Sequence, residues 1–274
     1  MHWFEALLLG IIQGISEFLP ISSSAHLVIA EKLLGIRMST GSLTFEVLLH
    51  AASLLAVICF FWRDLLVILR DFFHYLFTKD KEAKANYRFA WLIVGATIIT
   101  MGVGKGIEGV IGNNLTNSST IGASLIVTGI FLILMEHGIN IGKRTVKDMT
   151  WKDCVIIGFG QALAVIPGIS RAGSTLIVSL WCGLDKKTAV RYSFLLSIPV
   201  ITGITILKIP EITTNTFSGV GFELFIACIT SFIFAIIGIQ WLIQMLNQAK
   251  LTYFAIYCIG LGTITWIFLN DLQM

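Results

Sequence analysis

Two short stretches of an otherwise apolar sequence concentrate groups that could work on a phosphate. In the first, Gln13 and Glu17 stand four residues apart, and Ser22, Ser23, Ser24 and His26 follow Pro20. Residues four apart share one helix face, so the amide and the carboxylate project together. In the second, Ser170, Arg171, Ser174 and Thr175 follow Pro167-Gly168. Gathered at one place, these residues supply a carboxylate, an imidazole, hydroxyls, a fixed cation and two helix N-termini. Free N–H groups at a helix N-terminus bind phosphate. Arginine adds a planar, permanently charged fork that matches phosphate oxygens.

Each group also has a plainer explanation. Ser and Thr after a proline are ordinary N-caps, and His26 would be at home in a hydrated headgroup layer. Glu46 and His50, again four apart, read equally as a helix–helix hydrogen bond or as support for a site. Glu136, His137, Asp148 and Asp153 lie near a basic loop and read as solvated. Glu17 and Arg171 resist such explanations, because a charge at membrane depth needs a partner and usually a function.

The elements that position these residues must be membrane helices. Hydrophobic residues make up 56% of the 274 and charged residues 13%, against about 25% charged in soluble domains; the mean hydropathy is +0.86. The apolar runs are continuous rather than alternating, which argues against a β-barrel. The sequence predicts an all-α polytopic membrane protein. A span needs about 20 apolar residues, and segments near 44–62, 89–107, 119–139, 189–208, 222–247 and 252–270 meet that length. Two further apolar regions, 3–34 and 153–183, are broken at Pro20 and Pro167. The helix after each break has about 11–13 residues, or ~16–20 Å, too short to span. Both regions therefore read as re-entrant helical hairpins.

The hairpins resemble one another. Gln13 precedes Pro20 as Gln161 precedes Pro167, each proline opens a Ser-rich tip, and a polar-spiked span follows each. Paired interrupted segments of this kind point to an internal repeat with the site at its interface. The chain then reads as one domain, with halves near 1–118 and 119–274. Arg63, Arg70, Lys79, Lys81, Lys84 and Arg88 fall in one connection, Lys143, Arg144, Lys147 and Lys152 in another, and Lys186, Lys187 and Lys250 flank later spans. Counting spans puts all of them on one side, expected to be cytoplasmic. Lys105 and Lys208, with Lys32 and Arg37, remain on the other. The repeat is then inverted, with the tips meeting at mid-depth. A net charge of +3 and the lack of a basic stripe argue against nucleic acid. The scattered Cys59, Cys154, Cys182, Cys228 and Cys258 read as inert apolar fillers, and no basic leader of a signal peptide opens the sequence.

The segment Gln13-Gly-Ile-Ser-Glu17-Phe-Leu-Pro-Ile-Ser-Ser23-Ser-Ala-His26 resembles the Glu/Gln-x-x-x-Glu motif and Ser/His segment of undecaprenyl-diphosphate phosphatases of the bacitracin-resistance type. Pro167-Gly-Ile-Ser-Arg171-Ala-Gly-Ser-Thr175 resembles that family's Pro-Gly-x-Ser-Arg motif. Arg191-Tyr-Ser-Phe-Leu-Leu-Ser-Ile-Pro199 and Phe45-Glu-Val are similar to two more of its stretches. The matches keep the family's order from residue 13 to residue 199. Gln13 stands where a glutamate is frequent, which weakens any scheme with two carboxylates on one metal.

The resemblance implies hydrolysis of undecaprenyl diphosphate to undecaprenyl phosphate and phosphate, recycling a carrier lipid for peptidoglycan synthesis and conferring bacitracin resistance. It implies a bacterial plasma membrane with the site facing outward, and a divalent cation, magnesium or calcium, held by Glu17 and Gln13. It casts Ser23 as nucleophile or orienting hydroxyl, His26 as general acid–base and Arg171 as phosphate anchor. Ser22, Ser24, Ser170, Ser174 and Thr175 become substrate-binding groups. The expected partners are undecaprenyl diphosphate and the bilayer, with a homodimer the protein assembly considered. One rival is the acid-phosphatase-like lipid phosphatases, but their second histidine would fall at position 177, which is Ile. The other is a polyprenyl-phosphate flippase, since transporters also use inverted repeats with broken helices.

Overall fold

The structure is a computed structural model that describes residues 2–36, 42–111, 117–138, 142–208, 221–248 and 251–268. Arg37, Lys250 and the far ends of the segments predicted at 119–139 and 252–270 lie outside the described residues. Eleven helices are described: α1 (Trp3–Phe18), α2 (Ser23–Leu34), α3 (Ser42–Phe60), α4 (Trp62–Thr78), α5 (Lys84–Ile111), α6 (Ser118–Gly138), α7 (Trp151–Ala162), α8 (Arg171–Trp181), α9 (Lys186–Lys208), α10 (Gly221–Asn247) and α11 (Thr252–Phe268). No strand is found among the described residues beyond one isolated bridge, Arg144 with Leu184.

Local chemistry sets the two broken regions. The Glu5 carboxylate accepts the His2 amide at 2.7 Å and caps the start of α1. The helix stops because proline forces the preceding residue out of the α region: Leu19 is extended, at ψ 149°. Ser22, at φ +68°, then turns the chain back, a conformation that costs a non-glycine residue about 1–3 kcal/mol. α2 has 12 residues and ends on a left-handed Gly35 whose amide bonds the carbonyls of Glu31 and Lys32. The second region repeats the plan. Thr150 and Asp153 cap α7 reciprocally, Ile166 before Pro167 is extended, and Gly168 at φ +101° makes the reversal. α8 has 11 residues with Ser170 as its N-cap.

Four described helices are long and apolar enough to cross a membrane, in stretches 84–110, 118–137, 186–208 and 221–247. Residues 45–60 of α3 qualify together with α4, from which they are bent by 73°. The segment predicted at 252–270 is the apolar, 17-residue α11. One predicted connection is different in kind. Residues 62–78 form a helix, α4, whose Leu66, Leu69, Phe73 and Phe77 are exposed on a helix that also carries Arg63 and Arg70. Such an amphipathic helix suits the plane of the headgroups.

α1 packs along α10, α6 along α11, and α5 against α7, while α3 leans on α9 and α10. The α1–α10 contact depends on small residues. A Cβ at Gly14 would sit 2.5 Å from the Ser231 carbonyl and 2.8 Å from the Ala235 amide. Backbones approach this closely only where side chains are minimal. Tyr192 on α9 is fully buried and donates to the Leu92 carbonyl of α5 at 2.8 Å. The two basic connections meet: Arg88 donates to the Lys147 carbonyl, and Arg144 forks onto Asp153 at 2.9 and 2.6 Å.

Candidate active site

The tips of the two hairpins touch. The Gly168 amide donates to Ser22 Oγ at 3.1 Å, and Ser170 Oγ reaches the Leu19 carbonyl at 3.4 Å. A contact between these two loops fixes how α2 and α8 begin relative to each other, so their N-termini converge. Thr128 of α6 braces the second tip by donating to the Gly168 carbonyl at 2.8 Å.

The carboxylate of Glu17, on the last turn of α1, lies at the centre. Its side chain is 3% exposed, so the charge must be met by protein groups. Oε1 accepts from Arg171 Nη2 at 2.7 Å. Oε2 accepts from Ser23 Oγ at 2.6 Å and from Gln13 Nε2 at 2.9 Å. Nδ1 of His50, on α3, lies 3.0 Å from the same oxygen and 2.9 Å from Gln13 Nε2. The Arg171 guanidinium also lies over the Phe18 ring, 5.9 Å from its centroid.

These groups open on a cavity of about 180 Å³ lined by Glu17, Ser22, Ser23, Ser24, His50, Ser170 and Arg171 on one side. Ala164, Ile169 and, from α9, Val200, Ile201 and Ile204 form the apolar remainder. The cavity thus joins a polar head to an apolar flank, the shape needed by an amphiphile carrying phosphate.

Not every residue singled out in the sequence reaches this cavity. Gln13 is fully buried behind Glu17. His26 turns away: Nδ1 is 2.7 Å from the Ser22 carbonyl, and Nε2 is 2.7 Å from the Tyr257 hydroxyl, with the two rings stacked. Ser174 lines a separate apolar cavity of about 90 Å³ with Thr128, Phe131 and Trp181. Thr175 is buried against the Ser193 hydroxyl and the Arg171 carbonyl. Conversely, the structure brings His50 to the carboxylate, and the only signal of this in the sequence was its i,i+4 spacing from Glu46 within an apolar segment. Nothing in the pattern of α9 marked Val200, Ile201 and Ile204 as cavity wall.

Among the described residues, no group of three His, Cys, Asp or Glu side chains is placed to hold a metal ion. The buried Gln13 Oε1, however, has no hydrogen-bond partner and belongs to a side chain already bonded to Glu17. Turned towards Glu17, that orphaned amide oxygen would complete a pair of hard donors with the carboxylate. Such a pair fits a small divalent cation that takes its other ligands from water and substrate phosphates.

The sequence model of a family described as bacitracin resistance protein BacA matches residues 6–264. The chain is 46% identical over 272 residues to undecaprenyl-diphosphatase 2 of Halalkalibacterium halodurans, covering 98% of this chain and 97% of that one. It is 44% identical over 274 residues to undecaprenyl-diphosphatase 1 of Shouchella clausii, covering 99% and 98% of the two chains. Undecaprenyl-diphosphatase 3 of Bacillus anthracis is 38% identical over 264 residues, 96% of each chain.

Proposed function

This chain belongs to the bacitracin resistance protein BacA family, and on that premise we infer how the Glu17 site works as an undecaprenyl-diphosphate phosphatase. The enzyme is a multi-pass membrane hydrolase. It converts undecaprenyl diphosphate to undecaprenyl phosphate and inorganic phosphate, recycling the carrier lipid for peptidoglycan synthesis and conferring bacitracin resistance.

The observation that carries the mechanism is that one buried carboxylate holds both a serine hydroxyl and an arginine. In our reading Arg171 and the free N–H groups at the starts of α2 and α8 bind the diphosphate. The apolar flank at Val200, Ile201 and Ile204 receives the first part of the prenyl chain. Glu17 takes the Ser23 proton as Oγ attacks the terminal phosphorus. The new Oγ–P bond replaces the bridging P–O bond, and undecaprenyl phosphate leaves. Water then attacks the phosphoserine; as the Oγ–P bond breaks, Glu17 returns its proton to Oγ, and the protons of the water leave with the released phosphate. Removing charge and fixing the attack line is most of what phosphoryl transfer requires. His26 supports the turn at Ser22 from outside the cavity, in place of the acid–base role expected from the sequence. Ser22 and Ser170 hold the tips together, and Ser24 lines the binding cavity. Ser174 and Thr175 support α8 rather than the phosphate.

A divalent cation, magnesium or calcium, would be held by Glu17 and Gln13 and would neutralise phosphate charge. The clustering of basic side chains at the end bearing Arg88, Arg144 and Lys147 supports a cytoplasmic location for that end. The site would then face the outside of the plasma membrane.

Phosphate release by purified protein in detergent, with undecaprenyl diphosphate as substrate, tests this reading. One phosphate and one undecaprenyl phosphate are expected per substrate, and Glu17→Gln should abolish both products. Absence of phosphate release, with lipid movement in proteoliposomes, would instead make the chain a transporter.

A further inference from the structure

Three polar atoms in the site form a nearly equilateral triangle. Glu17 Oε2 to Gln13 Nε2 is 2.9 Å, Gln13 Nε2 to His50 Nδ1 is 2.9 Å, and His50 Nδ1 to Glu17 Oε2 is 3.0 Å. Hydrogen bonds cannot satisfy all three edges. An ionised carboxylate oxygen only accepts, an amide nitrogen only donates, and a ring nitrogen does one or the other. If Nδ1 carries a proton, it meets the amide donor to donor. If it does not, two lone pairs face each other across the edge to Glu17. Turning the Gln13 amide over replaces the first conflict with another, oxygen against oxygen, because which end of an amide faces a partner is a matter of assignment. The same turn would, however, give a role to Gln13 Oε1, the buried atom that has no partner as the side chain stands.

One kind of occupant removes every conflict at once, a cation that accepts all three lone pairs. We propose that His50 is the third protein ligand of a divalent cation, bound through Nδ1 beside Glu17 Oε2 and Gln13 Oε1. This rests on the reading above that Glu17 and Gln13 hold the metal. An octahedral ion with bonds of about 2.1 Å separates neighbouring ligands by about 3.0 Å, which is the edge of this triangle. Bonds of about 2.3–2.6 Å, as in calcium sites, would need about 3.3–3.7 Å. The triangle is therefore one face of the octahedron of a small ion. Glu17 and His50 both line the cavity, so the opposite face is left for water and phosphate oxygens. Arg171 stays on the other carboxylate oxygen, and the two positive groups flank the place where the diphosphate binds. One imidazole among oxygen donors moves preference from magnesium towards manganese.

The full-length, tag-free protein in detergent, titrated with Mn²⁺ alone, tests the proposal by electron paramagnetic resonance. One Mn²⁺ should bind per chain, and pulsed spectra should show a directly coordinated ¹⁴N nucleus. His50→Gln should bind Mn²⁺ at least about tenfold more weakly and lose the nitrogen signal, whereas His26→Gln should keep it. Bound Mn²⁺ without nitrogen coupling, coupling that survives His50→Gln, or no stoichiometric Mn²⁺ would each overturn the assignment. Phosphate release measured on the same unmodified sample reports separately on the hydrolase reading, which can stand while the His50 ligand fails.

Discussion

Ser22 Oγ accepts a hydrogen bond from the amide of Gly168 at 3.1 Å, across 146 residues of sequence. Through this contact the first hairpin sets the position of the second, and Arg171 arrives over the Glu17 carboxylate. Ser22 is held in a left-handed conformation at that point, so the tip stores local strain where two loops must meet.

Arg171 should be replaceable only at great cost. Lysine keeps the charge and loses the fork, so Arg171→Lys is expected to retain activity lowered about 10- to 100-fold. Arg171→Ala loses its charge-assisted bond to Glu17 and the one expected to phosphate, about 3–6 kcal/mol or some two to four orders of magnitude in kcat/KM. Phosphate release on folded, monodisperse protein measures both, and an alanine variant with full activity would remove Arg171 from the site.

Ser23→Ala discriminates the covalent route from direct attack by water. On the covalent route turnover disappears while substrate still binds, and rapid quench of the unmodified enzyme traps phosphoserine. If Ser23 merely orients phosphate, its loss costs about 1.5–3 kcal/mol, or roughly 10- to 200-fold. Residual turnover in that range without a trapped intermediate would leave Ser23 an orienting group.

His26 and Tyr257 share a hydrogen bond of 2.7 Å outside the cavity. His26→Gln and Tyr257→Phe are expected to lower phosphate release by similar factors, about 2- to 13-fold for one bond of 0.5–1.5 kcal/mol. Because both changes break the same contact, the double variant should be little worse than either. A thousandfold loss for His26→Gln beside an unaffected Tyr257→Phe would return His26 to general acid–base catalysis.

Gly14 permits α1 to lie on the backbone of α10. Gly14→Ala puts a methyl against the Ser231 carbonyl and should destabilise the protein by about 1–3 kcal/mol. The expected readout is a lower Tm in detergent. An unchanged Tm would mean that the two helices separate at little cost.

Single cysteines at Lys81 and Lys147, in a chain otherwise free of cysteine, should resist membrane-impermeant thiol reagents in intact cells. A cysteine at Lys32, whose ammonium bonds Ser118 at 2.6 Å towards the other end of the molecule, should label. Labelling at Lys81 from outside would reverse the face to which the site opens.

Much of this protein is written locally. Composition determined that its helices belong in a membrane, because so few charges cannot solvate so much apolar surface. Pro20 and Pro167 marked both breaks, since a proline disfavours helix at the residue before it, although α9 runs on through Pro199. The i,i+4 pair Gln13 and Glu17 and the exceptional Arg171 marked the site for the same reason, a steep local penalty that only function or pairing offsets. Other features depend on which helices lie side by side. The sharp bend between Phe60 and Trp62, which turns a basic connection into α4, follows no breaker residue. The exchange of imidazoles was also beyond local reading. His26 and His50 each occupy a reasonable helical position, and only the packing of α3 against α1, and of α11 behind α2, turns one ring to the carboxylate and the other to Tyr257. A side chain's type is fixed by sequence, but its partner is fixed by the neighbour that the fold sets within three ångströms of it.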